Sequence, residues 1–254
     1  HVKEAYMLEK ISEELKQRIA NSHIEGFGEE LEYWVKQINT PTSNYKNMLP
    51  RDLTNGILIS FCDANLRYDI VRCGFYELLL LLDLNSNLLF TCMSEDALNK
   101  ILKDKKREVP HYIDILSLKN KGLEGKTHQI TIPGIETELF PEDELERQLK
   151  ELCSNLELQT DKEFRHCIIT IKRSGYNVQE LKAYIFNSAL ELVEEENWSQ
   201  YLKPSYTFLD DTKKSNEVDI INPTLKKDFL VQDKDTMPEI KNDKNDEKDV
   251  NEEE

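Results

Sequence analysis

Residues 78–82 are an unbroken run of five leucines, and the apolar character extends to Leu84 with one interruption at Asp83. A run of this kind has to be buried, yet it is far shorter than the roughly 18 uncharged apolar residues of a membrane-spanning helix. No other stretch reaches that length, so no membrane span is expected. A buried strand and a buried helix both accommodate such a run. Leucine lacks the β-branching that strands favour, and glycine and proline, eight of each in 254 residues, leave few turns. These features predict a helix at Phe75 to Leu84, inside a buried helical layer from Arg51 to about Leu102.

The same periodicity argument extends along the chain. Tyr6, Leu8, Ile11, Leu15 and Ile19 fall near helical spacing and predict an amphipathic helix over Val2 to Ala20. Leu31, Trp34, Val35 and Ile38 give a second helix over Glu29 to Ile38, after the break at Gly26 and Gly28. Asn39 to Pro50 reads as a loop. Ile57, Leu58, Phe61 and Cys62 form a further stripe, and Ser94 is a suitable N-cap for a helix over Glu95 to Lys105. The alternation at His128 to Ile132 is the best strand candidate. Pro141 followed by three acids starts a helix to about Ser154. Helices over Asp161 to Ser174 and Val178 to Tyr201 complete a three-helix unit.

The expected architecture is therefore mostly α, an armadillo-like or irregular multi-helix domain with at most a small β element and a disordered acidic tail. Its parts are a helical region at 1–121, a connecting segment at 122–140, a helical unit at 141–202 and a tail at 203–254. Beyond about Gln232 apolar residues are too sparse to offset the entropy of ordering.

A net charge of −16 disfavours nucleic acid as the default partner, because phosphate binding needs a clustered positive field. The densest basic group, Lys100, Lys103, Lys105, Lys106 and Arg107, reads as the C-terminal turn of a helix, where cations suit the dipole. Five cysteines in apolar settings suggest a reducing, intracellular compartment, cytoplasmic or nuclear. The first residue is His1, so a processed or excised chain is expected, and an organellar or secretory lumen stays open.

No phosphate-binding glycine loop and no pair of metal ligands at useful spacing is present, and no cofactor is expected. The adjacent His166 and Cys167 are the nearest approach to a reactive pair, yet helical neighbours point about 100 degrees apart. A buried structural cysteine beside a surface histidine is the simpler account.

Residues 69–102 resemble one armadillo repeat, through Ile70-Val71, Gly74-Phe75, Leu78-Leu79, Leu81-Leu82, Asn87, Ala97-Leu98 and Ile101-Leu102. The resemblance implies packed helices and a protein-binding face. Trp34-Val35 with Asp52 to Gly56 is similar to a calponin-homology domain, and Leu152 to Asn187 resembles a ubiquitin-associated three-helix unit with a turn at Arg173 to Val178.

Together these readings point to a non-enzymatic scaffold or adaptor for a protein partner, with the acidic tail suited to a basic one. Its expected contacts are Leu225, Phe229, Leu230 and Val231 in the tail, a segment able to dock and fold on a partner, with Trp34 and Trp198 on helical faces. The alternative is a chaperone or assembly factor whose tail, from Asp233 to Glu254, screens a basic client. An enzyme without a local motif, centred near His166, is the third class. The oligomeric state is left open.

Overall fold

The computed structural model describes residues 6–38, 45–74, 76–104, 106–126, 140–157, 160 and 162–202. The chain divides into two compact units, His1–Pro204 and Ser205–Glu254, and the second lies outside the described residues. So do the strand candidate at 128–132 and the four tail residues named as partner contacts.

The leucine run is a strand. Leu78 to Leu82 sit in β2 (Tyr76–Asp83), where all five are buried. Leu78, Leu80 and Leu82 enter one hydrophobic cluster and Leu79 and Leu81 the other. A strand covered on both faces has no polar side to alternate with, so it reads as a continuous apolar run. Burial on two faces outweighs the modest strand preference that leucine lacks.

β2 belongs to a six-stranded sheet in which spatial order follows chain order. β1 (Leu66–Cys73), β2 and β3 (Leu88–Ser94) form an antiparallel meander. β4 (Arg165–Ser174), β5 (Asn177–Phe186) and β6 (Leu192–Asn197) form another. The two meanders join through parallel pairing of β3 with β4, from Leu88 opposite Arg165 to Ser94 opposite Ile171.

Helices cover both faces. α1 (Glu13–Phe27), α2 (Glu29–Gln37) and α3 (Tyr45–Ser60) precede the sheet. Leu15, Ile19, Ala20 and Phe27 of α1 and Leu58 of α3 pack on the face that carries Leu79, Leu81, Phe90, Cys167 and Ile169. α4 (Glu95–Lys103), α5 (Tyr112–Leu116) and α6 (Glu142–Glu157) lie within the β3-to-β4 connection. Leu98, Ile113, Leu116, Cys153 and Leu156 from these three cover the other face, with Leu80, Leu89 and Ile168.

This architecture corrects the mostly α expectation and removes the armadillo-like helical scaffold. Residues 69–102 are strands β1 to β3 followed by one helix. The residues likened to a calponin-homology turn, Asp52 to Gly56, lie inside α3. The ubiquitin-associated resemblance fails because Asp161 to Tyr201 carries β4, β5 and β6. Gly175, with φ of +60°, opens the tight β4–β5 turn, and Gly74, with φ of +63°, does the same between β1 and β2. Glycine takes the first position of such hairpin turns without steric cost.

Several helical expectations hold. The Ser94 hydroxyl accepts the Ala97 N–H at 3.2 Å as N-cap of α4. Leu8, Ile11, Leu15 and Ile19 are all buried, although α1 begins only at Glu13, capped by Ser12, after a 3-10 turn at Leu8–Lys10. The basic group closes α4: the Arg107 guanidinium donates to the carbonyls of Ile101 and Asp104 and pairs with Asp114 at 2.6 Å.

One buried amide ties the connection to the sheet. Ladder pairing of β4 with β5 begins at Ile168 opposite Tyr184. Just outside it, the Asn120 amide nitrogen donates to the carbonyls of His166 and Phe186 at 2.8 and 2.7 Å, while its oxygen accepts the His166 N–H at 2.8 Å. Asn120→Ala would leave three buried backbone groups without these partners, and a loss of about 2–4 kcal/mol in unfolding free energy is expected. Urea denaturation of the two chains measures it, and equal midpoints would show that Asn120 is not a structural tie.

Candidate functional site

Of the expected contact residues, only Trp34 and Trp198 fall among the described residues. Trp198 is fully buried in the hydrophobic cluster under α1, with the Lys16 ammonium 5.9 Å from its ring, so it presents no face to a partner. Trp34 is half-buried on α2, edge-on to the exposed Tyr33 at 5.7 Å between centroids. His166 and Cys167 are successive residues of a buried strand and enter opposite faces. The His166 ring bonds Thr91 Oγ1 at 2.9 Å, while Cys167 joins the cluster under α1. Burial drops the His166 pKa to about 3 and pushes the Cys167 thiol far up. The pair shares no cleft and has no nucleophilic form at neutral pH.

A different set of residues converges where β3 and β4 end. Cys92, Met93 and Ser94 finish β3, and Ile171 and Arg173 lie near the end of β4. With His23 and Phe27 of α1 and Arg51, Thr54 and Asn55 of α3, they line a cavity of about 160 Å³. β3 departs at its carboxyl end into α4 while β4 turns back into β5, and ligands favour crevices beyond the carboxyl ends of parallel strands.

Gly26 sets how closely the two helices of the cavity approach. A Cβ at this position would lie 2.7 Å from the Thr54 backbone nitrogen and 2.8 Å from its Cα. Neither atom can swing aside, so only glycine allows this crossing of α1 and α3. His23 and Phe27, one turn apart, then present stacked rings with centroids 6.2 Å apart.

His23 is fully buried. Its Nδ1 donates to the Ile19 carbonyl at 2.7 Å, which fixes the tautomer with a bare Nε2 on the far side of the ring. Nε2 has no hydrogen-bond partner among the described residues. An unmatched buried polar atom costs about 1–3 kcal/mol. Burial lowers the ring's pKa to about 4, so Nε2 is a hydrogen-bond acceptor at neutral pH.

The cavity's remaining electrostatics are positive. Arg51 and Arg173 are both exposed and flank it. Arg173 lies over Phe27 at 5.1 Å and Arg51 over Tyr76 at 5.4 Å, and neither has an ion-pair partner among the described residues. No carboxylate lines the cavity. Asp52 stands outside it, and partial burial raises its pKa, with Arg51 pulling the other way. Burial pushes the Cys92 thiol up to about 12, which keeps it protonated.

Arg51 and Met93 also line a second hollow of about 350 Å³, formed with Tyr76, Ala97, Lys100, Ile101, Asp104, Arg107, His111 and Tyr112. The two hollows together fall within the size range of small-molecule sites. Among the described residues, no group of three or more His, Cys, Asp or Glu side chains is placed to hold a metal ion. No helix among them is long and apolar enough to cross a membrane.

A model for a family of unknown function, DUF5986, matches residues 8–252, nearly the whole chain. The chain belongs to DUF5986. No curated protein and no solved structure matches it. The family description carries no activity, so the cavity's own chemistry is the guide to function.

Sequence reasoning passes over His23, Arg51 and Arg173. His23 does carry a signal, since it stands four residues from both Ile19 and Phe27 on the buried stripe of α1. Nothing local distinguishes the two arginines, which only the pairing of β3 with β4 and the docking of α3 bring to one cavity.

Two outcomes follow. Gly26→Ala should cost about 1–3 kcal/mol in stability by forcing α1 from α3, as overpacked sites do, and urea denaturation reads it. Acid should also destabilise the domain. The pKa values of His23 and His166 are lowered to about 4 and about 3, against about 6.5 when unfolded. The unfolded chain therefore gains protons first, and stability complete above about pH 6.5 declines toward pH 4. Denaturation midpoints at pH 7.5, 6 and 5 measure the decline, and His166→Gln should flatten it.

Proposed function

We propose that this protein is a binding module, not an enzyme, and that its ligand is a small organic anion held at the carboxyl ends of β3 and β4. The supporting observation is the pair of guanidiniums, Arg51 and Arg173, at a cavity with no carboxylate and no ion-pair partner for either among the described residues. Guanidinium forks match carboxylate and phosphate geometry, and two of them at one opening favour a multiply charged group. Binding fits better than catalysis because the one thiol lining the cavity is held protonated and the histidine beside it has no carboxylate to orient or charge it.

The cavity's size supports a small molecule over a protein segment. About 160 Å³ is close to the volume that accepts a benzene-sized group. A larger ligand would continue over Met93 and Arg51 into the hollow walled by Tyr76 and Tyr112. This reading differs from the protein-protein adaptor expected from the sequence, in that the ligand is a small charged molecule.

Isothermal titration of the full chain with inorganic phosphate, pyrophosphate and citrate tests this reading. Saturable binding that weakens with salt is expected, with Arg51→Gln and Arg173→Gln each reducing affinity about tenfold or more, since charge-assisted bonds contribute about 1.5–3 kcal/mol. Absence of binding, or binding indifferent to both substitutions, would overturn it.

A further inference from the structure

The two edges of the sheet are chemically unlike. β6 meets a neighbour with Glu194, Glu195 and Glu196 in succession, and two of these serve the start of the chain: Glu194 accepts the N–H groups of Met7 and Leu8, and Glu196 pairs with Lys16. Like charges in a row keep an added strand away. β1, at the other edge, carries both signs in Arg67, Asp69 and Arg72, and leaves Tyr68 and Ile70 42% and 48% exposed. No described strand pairs with its outer side.

Backbone hydrogen bonding decides which residues of β1 face that side. The Leu84 N–H donates to the Asn65 carbonyl, in the register that sets Leu66 opposite Asp83 and Cys73 opposite Tyr76. Odd-numbered residues therefore bond to β2, and alternation turns the N–H and C=O groups of Leu66, Tyr68, Ile70 and Arg72 outward. Leu66 is already served: its carbonyl accepts the Asp63 N–H at 2.9 Å, and its own N–H donates to the Asp63 carboxylate at 2.9 Å. The Ile70 N–H donates to the carboxylate of the adjacent Asp69 at 2.9 Å, a local contact that the carbonyl of an added strand can replace. The residues open to such a strand are Tyr68, Ile70 and Arg72.

We propose that β1 is a dimerisation edge, pairing antiparallel with β1 of a second copy of this chain about a two-fold axis at Ile70. This register sets Ile70 opposite Ile70 and Tyr68 opposite Arg72 of the second copy, so the open residues of both strands meet and about six backbone hydrogen bonds form. Tyr68, Ile70 and Arg72 share one face of the strand, so the seam covers both exposed apolar side chains and brings each guanidinium to a phenol ring. Neighbouring two-fold registers fail on the same residues. An axis at Tyr68 calls on Leu66, whose groups Asp63 occupies, and an axis at Asp69 puts two carboxylates directly opposite each other. The strand is complementary to itself, as an isologous interface requires, and this favours a second copy over an unrelated peptide.

Sedimentation velocity of the full chain over a concentration series reads the association and needs no ligand, so its outcome is independent of the anion site. A monomer–dimer equilibrium with a dissociation constant of about 100 µM or tighter is expected. Ile70→Pro removes an outward N–H without breaking a bond to β2, a change that edge strands tolerate, and Ile70→Lys sets two ammonium groups opposite each other. Each should weaken association about tenfold or more. Ile70→Cys should form a disulfide-linked dimer on mild oxidation, because hydrogen-bonded pairs stand about 5.5 Å apart at Cα, within disulfide reach. Tyr33→Cys, at an exposed position on α2, should not. A chain that stays monomeric across the series, a dimer indifferent to both the Pro and the Lys substitution, or equal cross-linking at positions 70 and 33 would overturn the proposal.

Discussion

Parallel pairing of β3 with β4 is the constraint on which the rest of the domain depends. Antiparallel neighbours can be joined by a two-residue turn, as β1 with β2 and β4 with β5 are, whereas parallel neighbours need a connection that returns the chain to the same end of the sheet. Here that connection is residues 95–164, and it supplies α4, α5 and α6 to one face. The opposite face then depends on the helices that precede β1. With helices on both faces, the central strand β2 is a continuous apolar run.

The same pairing makes the two ends of the sheet chemically unlike. At the amino end of β4, the Asn120 amide completes the backbone hydrogen bonding of His166 and Phe186. At the carboxyl ends, α4 leaves β3 at Ser94, and the space beyond is lined by α1 and α3 with arginines at its edge. Buried charge contacts hold α1 in register for this: Glu194 of β6 accepts the N–H groups of Met7 and Leu8 at 2.8 and 3.0 Å, and Lys16 pairs with Glu196 at 2.7 Å. The first helix is thus anchored to the last strand, and His23 is placed by residues far from it in sequence.

The parts of this arrangement legible in the sequence are those governed by local rules. Ser94 as an N-cap, the acids after Pro141 at the start of α6, and the buried stripe Leu8, Ile11, Leu15 and Ile19 each depend on neighbours within a turn or two. The central strands β2 and β4 are illegible for a physical reason. Leu78 to Leu82 and the apolar part of β4 are covered on both sides, so the period-two alternation that marks a strand is absent, and leucine's weak preferences favour the wrong element. Gly74 and Gly175 read as helix punctuation because a left-handed glycine serves equally at a helix end and in a hairpin.

The sequence by itself determined that the leucine run and the stripe of Leu8, Ile11, Leu15 and Ile19 must be buried, that most of the charge is acidic, and where several helices begin, because hydrophobicity, net charge and capping are properties of short segments. Only the tertiary structure decided that the leucine run is a strand, since that depends on having helices on both sides of it. It also decided that His23, Arg51 and Arg173 share one cavity. Each comes from a different element, and their proximity exists only once α1 crosses α3 at Gly26 and β4 lies alongside β3.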